Sequence, residues 1–190
     1  MKMKMLLSLL VFAVMTNVEA HPLHMADAGL AAGLAHPFIG LDHLLAMIAV
    51  GIWAGQLGGR ATWLVPLSFV SVMGAAALLG SYGQALPLVE SGIATSVLIL
   101  GLLIAGAVRL PIRASIALVG LFAMFHGYAH GLELPLAGSA TLYGLGFISA
   151  TALLHGIGIG FAASTRRYQI AQRLVGFSLI ASGGLLLAGI

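Results

Sequence analysis

Five of the seven histidines in this 190-residue chain fall in or beside stretches that are otherwise apolar enough to cross a membrane. With two carboxylates they form three groups: His36-x5-Asp42-His43, His126-x3-His130-x2-Glu133 and a lone His155. Burying an ionisable group in hydrocarbon is costly, so such residues usually face a bundle interior or a water-filled cavity. Imidazole and carboxylate are good ligands for divalent first-row metals. The pattern predicts an intramembrane metal site.

The second group has helical spacing. His126, His130 and Glu133 are four and three residues apart, so one face of a helix carries all three side chains. A histidine pair at this spacing, followed by a carboxylate, favours a site over a packing role. We interpret the three residues as metal ligands.

The first group is interpreted as another helical face. His36 and His43 are seven residues apart, and with Pro37 in the first turn of a helix they lie on one side of it. Asp42 lies one residue further round. Its carboxylate can either bind the metal or accept an N–H from a ligating imidazole.

The histidines of the first two groups are predicted to lie at one depth in the membrane. At about 1.5 Å per residue, His43, His126 and His130 lie at similar depths in the outer half of the membrane. His155 lies nearer the cytoplasm, as a second station for the ion or as a histidine that only hydrogen-bonds a carbonyl of a neighbouring helix. His21 and His24, which precede the first span, are weaker candidates for capturing the ion outside.

Composition sets the class of protein. The chain is 61% hydrophobic and 7% charged, whereas soluble domains are about 25% charged, so this is an integral membrane protein. The basic residues are scattered singly, which excludes a nucleic-acid surface. The absence of cysteine excludes disulfides, thiolate metal sites and CxxC redox chemistry.

The N-terminus is typical of a secretory signal. Lys2 and Lys4 precede an apolar stretch over 5–15 and a small-residue cleavage site at 18–20. The apolar stretch is short for a span, which needs roughly 20 residues. We therefore predict a signal peptide over 1–20 and one permease domain over 21–190, with an uncleaved anchor as the alternative.

Hydropathy predicts an all-α, polytopic membrane bundle of six transmembrane helices after the signal peptide. The spans are predicted at about 36–57, 62–81, 88–108, 113–133, 141–163 and 170–190. The chain contains no GxxxxGK[ST] motif, so transport would run on gradients or membrane potential unless a partner hydrolyses ATP.

Arginine placement predicts the orientation. Alternate connections between the spans carry Arg60, Arg109, Arg113, Arg166, Arg167 and Arg173. The connections near 81–87 and 135–140 carry no Lys or Arg, so the positive-inside rule places all six arginines in the cytoplasm and both termini outside.

The acids of the mature chain segregate to the other side. Asp27, Asp42, Glu90 and Glu133 all fall in the outer half, where together they would concentrate cations in a negative vestibule. Glu90 has a simpler alternative, as a first-turn carboxylate favoured by the helix dipole.

Aromatic residues near the predicted span ends are interpreted as interfacial anchors. These are Trp53, Trp63, Tyr82, Tyr143 and Tyr168.

Small residues predict close helix contacts. The pairs Gly51/Gly55, Gly127/Gly131 and Gly156/Gly160 each have GxxxG spacing, which allows two helices to approach closely.

Three stretches resemble the signature of the HupE/UreJ family of bacterial membrane proteins. They are HPFIGLDHLLAM from His36 to Met47, FHGYAHGLE from Phe125 to Glu133, and HGIG from His155 to Gly158. The similarity covers the whole mature chain. It implies uptake of nickel, or in some members cobalt, across the bacterial inner membrane to supply hydrogenase and urease.

We therefore predict a non-enzymatic permease whose partners are the lipid bilayer and a divalent ion, Ni²⁺ or Co²⁺, without a prosthetic group. Downstream metallochaperones and a homo-oligomer are left open. The alternative is an intramembrane zinc hydrolase, in which three histidines hold the metal and Asp42 acts as base. A b-type haem protein is a third class.

Overall fold

The computed structural model describes residues 27–83, 86–134 and 139–189, and these residues form an all-helical bundle. The helices are α1 Asp27–Ile39, α2 Leu41–Leu57, α3 Ala61–Gly80, α4 Val89–Ala105, α5 Ile112–Leu132, α6 Ala140–Ser164 and α7 Gln169–Leu187. The predicted signal peptide, His21 and His24 lie outside the described residues. The all-α prediction is confirmed.

Several of these helices are long and apolar enough to cross a membrane. Helices α3, α5, α6 and α7 each meet this criterion alone, and α1 with α2 meets it as a pair bent by 84°. Helix α4 is apolar but has only 17 residues. The chain is therefore a multi-pass membrane protein, and the count of six spans stays a prediction.

The first predicted span is not one helix. Gly40 has an extended backbone with φ −84° and ψ 113°, and it separates α1 from α2. A Cβ on Gly40 would lie 2.9 Å from Asp42 Oδ1 and 3.1 Å from His43 Nδ1, because the paired side chains of these residues fold over it. Pro37 lies inside α1 rather than in the first turn of a longer helix. The prediction of one continuous span over 36–57 is therefore wrong.

Glycines let backbones touch at two important helix pairs. Helices α3 and α5 pack along Gly127 and Gly131, where an added Cβ would overlap the carbonyls of Met73 and Ala77. Helices α2 and α6 meet at Gly51, where a Cβ would overlap the carbonyl of His155. Close contact at the first two predicted glycine pairs is confirmed, since a Cβ on Gly55 would also crowd that of Ala162.

The third predicted glycine pair makes no such contact. A Cβ on Gly156 or Gly160 would meet nothing within 4 Å, so the packing role assigned to this pair is wrong. Gly158 makes the close helix contact instead, because a Cβ added to it would overlap the carbonyl of Ile48 on α2. The helix turns 100° per residue, so a shift of two positions moves the small residue to the opposite face.

Two of the predicted interfacial anchors are buried. Trp53 has no exposed surface and donates its Nε1–H to the Val108 carbonyl at 3.0 Å. Tyr143 is 4% exposed and packs beside His36. The anchor interpretation is therefore wrong for these two residues. Trp63, Tyr82 and Tyr168 are exposed, as an anchor requires.

Candidate metal site

Four imidazole rings from three helices meet in the interior of the bundle. We call His36, His43, His126 and His130 the histidine cluster. The ring of His43 lies 4.9 Å from that of His126 and 4.4 Å from that of His130, between centroids. The ring of His36 lies 4.8 Å from that of His130. The predicted meeting of imidazoles from the first and fourth spans is therefore present in the fold.

The bend at Gly40 explains how His36 and His43 reach the same cluster. They do not share a face of one helix, as predicted from their spacing, because His36 belongs to α1 and His43 to α2. The 84° bend between these helices turns both rings toward His130 on α5. The predicted convergence of the two rings is present, but the predicted helical face that would produce it is wrong.

Glu133 closes the solvent-exposed side of the cluster. Its Oε2 lies 3.0 Å from His36 Nε2 and 3.6 Å from His130 Nδ1, the second distance being too long for a good hydrogen bond. One ligand atom from each of these three residues lies within 4.8 Å of the others. His36 and Glu133 are partly exposed, at 27% and 56%, whereas His130 is buried. They therefore form an accessible mouth to the buried rings.

Asp42 orients a histidine in this structure. The Nδ1–H of His43 donates to Asp42 Oδ1 at 2.8 Å, and the same oxygen accepts the backbone N–H of His43. Of the two roles left open for Asp42, the observed contact is the acceptor role. Because Nδ1 carries the proton, Nε2 keeps its lone pair, and this atom is buried without a hydrogen-bond partner.

Ser96 on α4 orients the ring of His126. No pattern in the sequence indicated this role for Ser96. The Ser96 hydroxyl donates its one proton to the Ile93 carbonyl at 2.6 Å, so it accepts from His126 Nε2 at 3.0 Å. The other ring nitrogen, Nδ1, is buried without a partner. Both His43 and His126 therefore have one nitrogen fixed and one lone pair free.

His155 lies deeper and apart from the cluster. Its Nδ1–H donates to the Met47 carbonyl at 2.8 Å, and its Nε2 is buried without a partner. The ring of Phe69 lies between it and the cluster, 5.5 Å from the ring of His126 and 5.2 Å from that of His155. His155 thus makes the carbonyl bond of the simpler interpretation and still keeps a free lone pair.

A stripe on α6 forms a wall of the site and was not predicted. Tyr143, Phe147, Thr151 and His155 recur every four residues, and all four are buried. The ring of Phe147 lies 4.0 Å from that of His130. The fourfold spacing upstream of His155 was a signal that could have found these residues.

Two acids line a cavity at the same end of the bundle as the histidine cluster. Glu90 and Glu133 both border a space of about 370 Å³ between α4 and α5. Glu90 lies in the first turn of α4, as the simpler interpretation expects. The shared cavity brings two of the four acids close to the mouth formed by Glu133, and the negative vestibule stays a prediction.

The donor set suits a borderline divalent cation. Neutral imidazole nitrogens and carboxylate oxygens favour ions such as Ni²⁺, Co²⁺ and Zn²⁺ over hard cations, which prefer oxygen alone. Lone pairs that are buried and unpaired are costly, and a bound cation would satisfy those of His43, His126 and His130. The histidine cluster with its orienting partners is therefore a candidate cation site.

The chain resembles known proteins over nearly its full length. The family model described as HupE / UreJ protein matches residues 8–187. Protein HupE of Rhizobium leguminosarum bv. viciae is 46% identical over 188 residues, which are 98% of this chain and 98% of that protein. No solved structure gives a significant match.

Proposed function

The chain belongs to the HupE/UreJ family, which is associated with nickel and cobalt uptake for hydrogenase and urease, and on this premise we propose that it imports Ni²⁺. The observation that carries the proposal is the histidine cluster, in which imidazoles from α1, α2 and α5 converge with free lone pairs. The metal is cargo, bound and released, rather than a resident cofactor.

The proposed path begins at the outer acids. Glu90 and Glu133 attract the cation, and His36 with Glu133 takes it from water at the mouth of the cluster. His21 and His24 belong to this capture step in the proposal. The ion then passes to the buried rings of the cluster, where His130 has both ring nitrogens unpaired.

The inner steps follow the orientation of the ring nitrogens. His43 and His126 offer their free nitrogens, and Asp42 holds His43 in the ligating tautomer. His155 accepts the ion beyond Phe69. An inward membrane potential contributes about 2.3 kcal/mol per charge per 100 mV, hence about 4.6 kcal/mol for a divalent ion.

The orientation in the membrane is part of the proposal. The arginine-bearing connections would face the cytoplasm and both termini the periplasm, in the inner membrane of a bacterium. Reporter fusions after residue 83 and after residue 110 test this, since we expect the first to report the periplasm and the second the cytoplasm. The reverse pattern would contradict the direction of uptake.

Uptake of radioactive nickel tests the site directly. In cells lacking other nickel importers, His43→Gln and His130→Gln should abolish accumulation, because each removes an imidazole from the centre of the cluster. Tyr168→Gln is the matched control, since it introduces the same side chain at an exposed position outside the cluster. Accumulation that persists in both cluster variants, at normal levels in the membrane, would refute the proposal.

Competition identifies the ion. Unlabelled Ni²⁺ should reduce uptake of the tracer at lower concentrations than Co²⁺, Zn²⁺ or Mn²⁺. Affinity for simple ligands rises from Mn²⁺ through Co²⁺ to Ni²⁺, but this order does not by itself place Ni²⁺ above Zn²⁺. A preference for Ni²⁺ over Zn²⁺ would therefore have to come from the geometry of the cluster. Stronger competition by Co²⁺ would assign the protein to cobalt instead.

Uptake should fall in acid. An imidazole loses its lone pair on protonation, so protons compete with the metal for the ring nitrogens as the medium is acidified. Initial uptake rates measured at fixed membrane potential over a series of decreasing pH values give the test. A rate that stays constant as the medium is acidified would argue against imidazole ligation.

The zinc hydrolase alternative gains no support among the described residues. Its proposed base, Asp42, is instead hydrogen-bonded to His43 through Oδ1. A purified protein that retains about one tightly bound zinc per chain would reopen this alternative, because a carrier releases its ion readily.

A further inference from the structure

A second cavity lies at the opposite end of the bundle from the histidine cluster. We call Arg60, Arg109, Arg113, Arg166, Arg167 and Arg173 the arginine end. Three of these arginines, Arg109, Arg166 and Arg173, line a single cavity of about 600 Å³ together with Gln56 and Gln172. Arg109 precedes α5, whereas Arg166 lies between α6 and α7 and Arg173 near the start of α7, so the fold brings together two separate stretches of the chain.

The positive charge of this cavity is not neutralised by the described residues. All six arginines are exposed, and the ion pairs within the described part of the chain involve only histidines with acids. Asp42, Glu90 and Glu133 lie at the far ends of their helices. The arginine side chains also make no hydrogen bond to any described residue.

Two glutamines that line the cavity are hydrogen-bonded to each other and to neighbouring helices. Gln56 Nε2 donates to the Ile104 carbonyl at 3.2 Å and to Gln172 Oε1 at 2.9 Å. Gln172 Nε2 donates to the Ala162 carbonyl at 2.9 Å and to Thr165 Oγ1 at 3.0 Å. Since the donors of both amides are used, the free side-chain donors that line the cavity belong to the three guanidinium groups and to the Gln169 amide.

We propose that this cavity binds a phosphate group, carried by an anionic phospholipid headgroup or by a soluble phosphate compound. Each guanidinium presents a planar fork of N–H donors that suits phosphate oxygens. Three forks around one space exceed what a single carboxylate, with two oxygens, can accept. The cavity has room for more than one phosphate, so it can hold a headgroup or a diphosphate.

The location gives this site a consequence for transport, and that consequence alone rests on the proposed uptake function. Helix α2 carries both His43 and Gln56, so the cavity lies about 20 Å beyond the cluster along its axis. A cation leaving toward three unneutralised arginines is repelled. A bound phosphate would offset part of this charge at the inner exit.

The experiment measures anion binding without any metal. Full-length protein is purified into nanodiscs of phosphatidylcholine, and binding of radiolabelled pyrophosphate is measured by equilibrium dialysis. Retention of phosphatidylglycerol is counted separately by native mass spectrometry of protein from mixed-lipid nanodiscs. Binding in the first assay assigns a soluble phosphate, and retention in the second assigns the lipid.

Two triple variants remove the same charge from different places. R109Q/R166Q/R173Q alters the cavity, and R60Q/R113Q/R167Q alters arginines that do not line it. We expect the first to weaken binding at least tenfold and the second less than twofold. The single variants R109Q, R166Q and R173Q, each expected to lose several-fold, replace the first triple variant if it does not fold.

Equal loss in the two triple variants would overturn the proposal, since it would show attraction to surface charge alone. Absence of binding of both probes to the unchanged protein would overturn it as well. Because no nickel is present, a failure here leaves the uptake assay of the histidine variants as an independent test of the proposed function.

Discussion

At the histidine cluster, His43 and His126 are rings with one nitrogen held and the other free, whereas at the arginine end Gln56 and Gln172 are amides whose donors are all used. His43 and His126 each keep a buried, unpaired lone pair, but Gln56 and Gln172 donate every amide proton to the protein. Burial of polar groups is common to both regions. The free atoms differ in kind: the cluster has unpaired acceptor nitrogens, which suit a cation, whereas the arginine end has unpaired guanidinium donors, and of these two amides only Gln56 Oε1 lacks a partner among the described residues.

The partner of a ligating ring should matter most. Asp42→Asn keeps the shape of the side chain but removes the charge that holds His43 in its tautomer, and such changes typically cost about 10–100-fold in metal affinity. Titration of Ni²⁺ into purified protein measures this loss. Asp42→Glu, which keeps the charge but moves the oxygen, should fall between. An affinity for Asp42→Asn within about twofold of the unchanged protein would remove Asp42 from the site.

The second-largest effect is expected from a change in the distance between α3 and α5. Gly127→Ala places a Cβ against the carbonyl of Met73 and must separate α5 from α3. We expect a loss of about 1–3 kcal/mol in stability, as for other overpacked positions, with weaker nickel binding because His126 and His130 move with the helix. Thermal unfolding in detergent and nickel titration measure both effects.

Gly156→Ala is the matched control for helix spacing, since its Cβ would point into open space. It should be neutral or slightly stabilising, because alanine favours a helix by about 1 kcal/mol over glycine. If the two glycine variants behave alike, close packing of α3 on α5 is not what positions the histidines.

A smaller effect is expected where a neutral hydroxyl holds a ring. Ser96→Ala removes the group that fixes His126 Nε2, and losing one such hydrogen bond should weaken nickel binding by about fivefold, equivalent to about 1 kcal/mol. Ser149→Ala is the control, because that exposed hydroxyl bonds only to the Leu145 carbonyl of its own helix. An unchanged affinity in Ser96→Ala would mean that packing alone orients His126.

The smallest effect on nickel is expected away from the cluster. Trp53→Phe leaves the Val108 carbonyl without its donor and should cost about 1–3 kcal/mol of stability while nickel affinity stays the same. Trp63→Phe, at a position that is 70% exposed, should change neither quantity. A large loss of nickel affinity in Trp53→Phe would show that the two regions are coupled rather than separate.

Residues that act within one helix were predictable, and those that depend on contacts between helices were not. The spacing of His126 and His130 placed both on one face, and both rings do meet His43. Ser96 could not be recognised, because a serine in an apolar segment has the same local pattern whether its hydroxyl meets a histidine or only its own backbone. The prediction for Tyr143 was wrong for the same reason, since the end of a span is either buried or interfacial according to its neighbours.

The sequence by itself determined the membrane class, the histidines and acids that gather at one end, and the arginines at the other, because hydropathy and charge are properties of single residues and short segments. Only the tertiary structure decided the break at Gly40, since the folding of Asp42 and His43 over that glycine is a contact that no helical period predicts. It also decided which ring nitrogen of His43, His126 and His155 is free. The partners of His126 and His155 come from other helices, and the partner of His43 is the side chain of the adjacent Asp42.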